Sequence, residues 1–172
     1  FDYDKARWFN QQHLMGLADA ELATRVRPII EAQGQYPENT FLEAFWWLMK
    51  ERVVMLPDFW DSGRYFFEDF IVFDEKTVAK KWDAGKKALF HELLSRLEAL
   101  PTFETGTIHD ALEGWMAEKE LKPGDLFPLL RIALIGTMKG PGVPEMLALF
   151  GFHESKRRLL QAATRFDAVQ GA

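Results

Sequence analysis

Four punctuating residues within five positions, Gly140, Pro141, Gly142 and Pro144, separate two strongly apolar runs in the stretch FPLLRIALIGTMKGPGVPEMLALFGF, residues 127–152. Proline fixes φ and glycine permits positive φ, so a link of this composition has a preset shape and does not act as a loose tether. The first run reads as a buried helix that breaks at Gly136, and the second as an apolar helix that ends at Gly151. Together they make a constructed corner. A single cation, Arg131, stands in the first run one to two turns before it, where an arginine needs a partner or a route to water. Two readings stay open. Arg131 lies along a helix–helix corner with its head in solvent, or it forms with the corner a recognition edge that meets a ligand.

The rest of the chain shows the same helical period. The opening segment, FDYDKARWFNQQHLMGL, starts a helix capped by Asp2 or Asp4, with Trp8, Phe9 and Leu14 inward. Asp19 is the expected cap of a second helix, with Leu22, Val26, Ile29 and Ile30 at helical spacing and Pro28 as a kink or a limit. After Gly34 and Pro37, the residues Leu42, Phe45, Trp46, Met49 and Val53 trace the core stripe of a third helix, which Pro57 closes. Arg52 flanks that stripe, its stem read as covering apolar surface with its head in water. Residues 62–73 are rich in aromatics, with Tyr65, Phe66, Phe67, Phe70 and Phe73. No cation beyond Arg64 is interleaved among them, so the segment reads as packing between helical layers and not as a base-stacking platform. The subdomain joint falls here, giving a first helical subdomain over 1–72 and a second over 73–172.

In the second subdomain, Asp74 or Thr77 is expected to cap one helix running to about Leu100, with Val78, Trp82, Leu89, Leu93 and Leu97 on one face and Gly85 as a weak point midway. Thr107 is the expected cap of a helix with Ile108, Leu112, Trp115 and Met116 inward. Residues 122–125 read as a turn in which Asp125 caps the helix of the central stretch. A last helix runs over 154–166 with Leu159, Leu160 and Ala163 inward and Lys156, Arg157 and Arg158 around its start. No stretch alternates long enough to make a strand. The fold class is all-α, built as two stacked helical subdomains.

The chain has 172 residues, 48% of them hydrophobic, which is enough for a buried core. Cysteine is absent, which excludes disulfides and thiolate metal sites and fits a reducing compartment. No run approaches the length of a membrane span and no secretory leader is visible, so a cytoplasmic protein with no membrane partner is expected. A net charge of −5 argues against indiscriminate nucleic-acid binding and requires that any such role use local basic surface. Candidate patches are Arg25 with Arg27, Lys50 with Arg52, the lysines 80, 81, 86 and 87, and the run 156–158; each also reads as a solvated helix face.

Signatures of catalysis are missing. His91-Glu92 and His153-Glu154 lack the second histidine of a zinc-protease helix, since Ser95 and Arg157 stand there. No di-iron Glu-x-x-His pair occurs, Gly85-Lys86 lacks the remainder of a phosphate loop, and His109-Asp110 has no nucleophile beside it. Catalytic and metal-ligating residues are therefore assigned to none.

Several quoted residues carry a family resemblance. Leu130-Arg131-Ile132-Ala133-Leu134, Gly136, Gly140-Pro141 and the run Met146 to Gly151 resemble the anticodon-binding end of bacterial glutamyl-tRNA synthetases. Phe1-Asp2, Lys5, Trp8 and Asn10 match the segment that joins the catalytic and anticodon halves in that family, and Leu48-Met49-Lys50-Glu51-Arg52 matches a setting in which an arginine reads an anticodon base. Ile135 replaces the usual threonine and Pro144 a phenylalanine-like residue. The resemblance implies the helical cage of a class I glutamyl-tRNA synthetase and a fragment that starts at the joint. It also implies tRNA for glutamate as partner, together with the catalytic half of the longer chain. Arg52 and Arg131 are then expected to contact anticodon bases, with Gly140, Pro141 and Val143 supporting the flipped-out nucleotides. The family's two ATP-site signatures are absent, so no cofactor is expected here; ATP and magnesium would serve the parent ligase. The alternative from another class is a helical protein-interaction module with an exposed groove near residues 59–73 and no RNA binding.

Overall fold

The computed structural model describes residues 2–69 and 72–171. Phe1 of the opening match and Phe70 of the aromatic segment lie outside the described residues. Among those described there are nine α-helices, two 3-10 turns and no strand, an all-α fold. The chain divides into two compact units, Phe1–Asp69 and Phe70–Ala172.

The first unit contains α1 (Tyr3–Met15), α2 (Asp19–Glu31), α3 (Asn39–Met49), a 3-10 turn (Lys50–Arg52), α4 (Asp58–Gly63) and a second 3-10 turn (Arg64–Phe66). Its core is most of the stripe read from sequence, although α3 ends at Met49 and not at Pro57, which leaves Val53 beyond the helix, and Ile29 is only half-buried. Leu22, Val26 and Ile30 of α2 meet Leu42, Phe45, Trp46 and Met49 of α3, all essentially inaccessible, with Val53 and Phe59 closing the layer. Gly63 approaches so closely that a Cβ there would lie 2.6 Å from the Phe45 ring. Asp19 does not cap α2, whose N-cap is Ala18; its carboxylate instead accepts from the Trp46 indole N–H at 3.1 Å. A buried indole needs an acceptor, and that demand outranks the cap. The helix runs through Pro28 to Glu31, where Gly34 at φ 79° turns the chain. Arg27 straps this turn through Pro37 O at 3.2 Å and Asn39 Oδ1 at 2.5 Å, so it belongs to the scaffold.

Helix α1 departs from expectation. Asp2 caps it through Lys5 N at 3.0 Å, and Leu14 is buried, but Trp8 and Phe9 are 55% and 56% exposed. At about 100° per residue, Trp8 and Phe9 lie roughly 120° and 140° from Leu14 around the helix, so one contact face cannot take all three. The attachment is polar: Asn10 Nδ2 donates to Val54 O, and Gln11 Nε2 to Glu51 O at 3.2 Å.

The second unit contains α5 (Glu75–Lys81), α6 (Ala84–Glu98), α7 (Thr105–Glu118), α8 (Pro123–Ile135) and α9 (Val143–Gln170). Helix α9 packs against all four others. The single helix expected over 74–100 is two, and the break falls at Trp82 and Asp83, before Gly85. Trp82 is extended at ψ 138°, its indole N–H donates to Asp167 at 2.9 Å, and its ring packs edge-on against Phe90 and Phe166. Asp83 then caps α6 by accepting from Lys86 N at 2.8 Å, while Asp74 caps α5. Phe90 joins the buried face and Leu89 is only half-buried.

Two further caps shift. Helix α7 starts at Thr105, and Thr107 lies inside it, its hydroxyl 3.0 Å from that of Thr102. Pro123 begins α8, which moves Asp125 into the first turn, 3.5 Å from Lys81. Pro at the first helical position loses no intrahelical bond, so the turn expected at 122–125 is already helix. Gly136 ends α8 at φ 78°. Gly151, at φ 74° and ψ 167°, breaks α9 within its span, and Ser155 bridges the break by donating to Leu147 O at 3.3 Å. Leu160 is 36% exposed. The opposite surprise is Arg158, grouped above with a solvated run but only 4% exposed. Its guanidinium donates to Glu154 Oε1 and to Leu134 O, both at 2.7 Å, and lies 4.2 Å from the Phe150 ring centroid. It thereby ties the end of α8 to both halves of α9.

Candidate nucleic-acid interface

Gly136 stops α8 five residues after Arg131, and the chain returns through Gly140, buried Pro141 and extended Gly142 into the first turn of α9. This brings four of the five expected site residues to one corner. Half-buried Arg131 donates from Nε to Pro141 O at 3.3 Å, which sets its head against the corner and resolves the need for a partner. Among the described residues it forms no ion pair, so its terminal donors are not committed to a carboxylate. Gly140 precedes the Pro141 carbonyl it supports, and Val143 is 2% exposed at the first position of α9.

The corner is one wall of a cavity of about 480 Å³, with Arg131, Val143, Pro144 and Glu145 facing His109 and Glu113 of α7. Its size is that of small-ligand sites, and its lining is mainly apolar with a few charged groups. His109 lies 3.4 Å from Glu113 and 3.6 Å from Asp110 on the α7 rim. The spacing of His109 and Glu113, one helical turn, was legible; that they face Arg131 was not.

Arg52 stands in the other unit. It is exposed at the end of the 3-10 turn that follows α3, and Nη1 donates to Leu48 O at 3.5 Å. Tyr65 is its neighbour. Burial pushes the Tyr65 phenol up to about 12, a rise that the Arg52 charge partly opposes. The hydroxyl stays protonated beside Arg52 at neutral pH and reaches the Met49 sulfur at 4.0 Å. Among the described residues no three His, Asp, Glu or Cys side chains gather as metal ligands, and no helix is long and apolar enough to cross a membrane.

Comparison with known proteins gives this arrangement a family. Residues 21–163 match the model of the anticodon binding domain family. The glutamate–tRNA ligase of Parabacteroides distasonis is 32% identical over 162 residues, and that of Christiangramia forsetii 34% over 163; each alignment covers 94% of this chain and 32% of the relative. A crystal structure of a glutamate tRNA ligase from Elizabethkingia meningosepticum in complex with its amino acid superposes with a TM-score of 0.87 at 28% identity, covering 95% of this chain and 32% of that one. The chain thus spans about a third of the length of these relatives. A match over most of its residues, on an all-α fold that sets an arginine at a rigid corner, shows that the chain belongs to the anticodon binding domain family.

Proposed function

We propose that this chain recognises the anticodon loop of the tRNA for glutamate, as one part of a glutamate–tRNA ligase. The observation that carries the reading is the fixed head of Arg131, held by Pro141 O on the wall of a cavity of about 480 Å³. Unpaired loop nucleotides expose base edges and faces, which proteins read by guanidinium hydrogen bonds and apolar packing. Arg131 supplies the first at the corner and the apolar cavity lining, backed by buried Val143, the second, while Gly140 and Pro141 set the backbone in advance and limit the ordering cost of binding. Arg52 is the second base-reading arginine, exposed on its own unit beside a hydroxyl that stays neutral. In this reading, joining glutamate to tRNA is the task of a catalytic half elsewhere in the longer ligase. ATP and magnesium serve that half, and the residues of this chain bind and orient RNA.

Arg131→Ala and Arg52→Ala are each expected to weaken binding of the glutamate tRNA by about 1–3 kcal/mol with the fold intact. A tRNA with a swapped anticodon is the comparison. An equal loss on both RNAs would reduce these arginines to phosphate contacts, and wild-type binding that ignores both anticodon and salt would remove the reading altogether.

A further inference from the structure

A chain of net charge −5 that holds RNA must keep some cations clear of its own acids, and the second unit does so in one place. Of the lysines 80, 81, 86 and 87, three are consumed inside the fold: Lys81 lies 3.5 Å from Asp125, Lys86 3.7 Å from Asp83 and Lys87 2.6 Å from Asp167. Lys156 is paired with Glu98, and Arg157 and Arg158 with Glu154. By contrast, exposed Lys76 and Lys80 of α5 and exposed Lys139 of the α8–α9 link form no ion pair and no side-chain hydrogen bond among the described residues. These three are close in space. Asp74 N donates to Gly136 O at 3.1 Å and the Thr77 hydroxyl lies 3.6 Å from the Met138 sulfur, which seats the start of α5 against the link that carries Lys139. Lys76 and Lys80 stand one helical turn apart, and each is two residues from buried Val78, about 200° around the helix from it, so both project away from the core. Neighbouring acids leave them available. Asp74 is occupied as the cap of α5, accepting from the Thr77 backbone and hydroxyl, and Glu75 lies about 100° around the helix from Lys76.

We propose that Lys76, Lys80 and Lys139 form a phosphate-holding surface for the backbone of the anticodon stem, which positions the RNA without reading its bases. The inference rests on the RNA-binding reading above and adds where the paired part of the RNA lies. An ammonium is a compact charge on a flexible stem and suits a phosphate approached from varied directions, whereas the planar fork of a guanidinium suits a base edge. The surface is continuous with the corner, because Lys139 is two residues before Pro141, whose carbonyl holds Arg131. A strand whose unpaired bases enter that corner continues as duplex, and the duplex presents a regular row of phosphates to the lysines along α5. Each phosphate neutralised there releases counterions, so the contribution depends on salt and ignores sequence.

The test titrates the whole chain with an anticodon stem-loop RNA over a series of salt concentrations, with the cognate and a swapped anticodon, and with the loop sequence alone as a short single strand. Lys76→Ala, Lys80→Ala and Lys139→Ala are each expected to weaken binding by the same factor on both stem-loops and to lower the slope of log affinity against log salt by about 1 per lysine removed. The loss should vanish on the single strand, which has no stem, and the matching Lys→Arg variants should restore both affinity and slope. Lys156→Ala, at a paired lysine, should leave the slope unchanged. A wild-type slope in all three alanine variants, a loss confined to the cognate anticodon, or an equal loss on the single strand overturns the assignment. If in that case Arg131→Ala still removes anticodon discrimination, the RNA-binding reading survives; if the wild type responds to neither anticodon nor salt, both fall.

Discussion

Arg158→Met removes a charge that the fold has sealed away, while nearly keeping the length of the side chain. With it go the 2.7 Å bond to Leu134 O, the 2.7 Å bond to Glu154 and the approach to the Phe150 ring at 4.2 Å. Leu134 lies in the last turn of α8, where carbonyls have no intrahelical donor, so its oxygen loses a partner at a cost of about 1–3 kcal/mol. The cation–ring contact adds about 1 kcal/mol. Glu154 contributes less, because its side chain is 33% exposed and Arg157 still reaches it at 2.6 Å. Methionine recovers part of the sum by burying an apolar stem. The net loss is about 3 kcal/mol, at the lower edge of the range for breaking a buried pair. At about 4 °C or more per kcal/mol for a domain of this size, the second unit should melt about 12 °C lower. Urea unfolding followed by tryptophan emission reads this, with Trp82 and Trp115 reporting on that unit. Arg157→Met is the control, an exposed pair worth about 0.5 kcal/mol. If Arg158→Met stays within 1 kcal/mol of wild type, or Arg157→Met is equally damaging, the buried bridge does not hold the unit together as argued.

Gly151→Ala and Gly114→Ala add the same methyl group into open space, since beyond the local backbone no atom lies within 4 Å of the position that methyl would take. The first forces alanine to φ 74° and ψ 167° and should cost about 1–3 kcal/mol, while the second, inside α7, should stabilise by about 0.5–1 kcal/mol; equal signs in a melt would refute the conformational argument. Gly63→Ala drives a methyl into the buried Phe45 ring and should destabilise the first unit by about 1–3 kcal/mol, and an unchanged urea midpoint would show that the ring can move aside. Three carboxylates are held below their usual range, Asp167 first by Lys87, Glu92 first by Lys119 and Glu154 first by Arg157. Their folded forms bind protons less readily than the unfolded chain, so the stability they contribute is present above about pH 4–5 and is lost as pH falls through the depressed values. The melting temperature should therefore drop on acidification, and Asp167→Asn should shallow that drop; a slope identical to wild type would count against the pairing.

Much of this was legible in one dimension because helices announce themselves by period. The stripes Leu42 to Val53 and Ile108 to Met116, the stop at Gly136 and the corner at Gly140 and Pro141 are local facts, fixed by side-chain spacing and backbone permission. Local rules erred where a side chain had a choice of partners. Asp19 left its cap for Trp46, Trp82 left the helical path to pack on α9, and Trp8 and Phe9 lie too far around α1 from Leu14 to share its face. The residues of the corner were named from sequence, but that Arg131 bonds Pro141 O and shares a cavity with Glu145 needed the chain folded. Arg158 shows the division most plainly. Three basic residues in a row look alike on paper, and only the return of α8 beside Gly151 decides which of them meets a carbonyl, a carboxylate and a ring at once and is drawn inside. Sequence alone determined the all-α class and the bend at Gly140 and Pro141; tertiary structure decided which charges are scaffold and which line the cavity, because burial and pairing depend on residues distant along the chain.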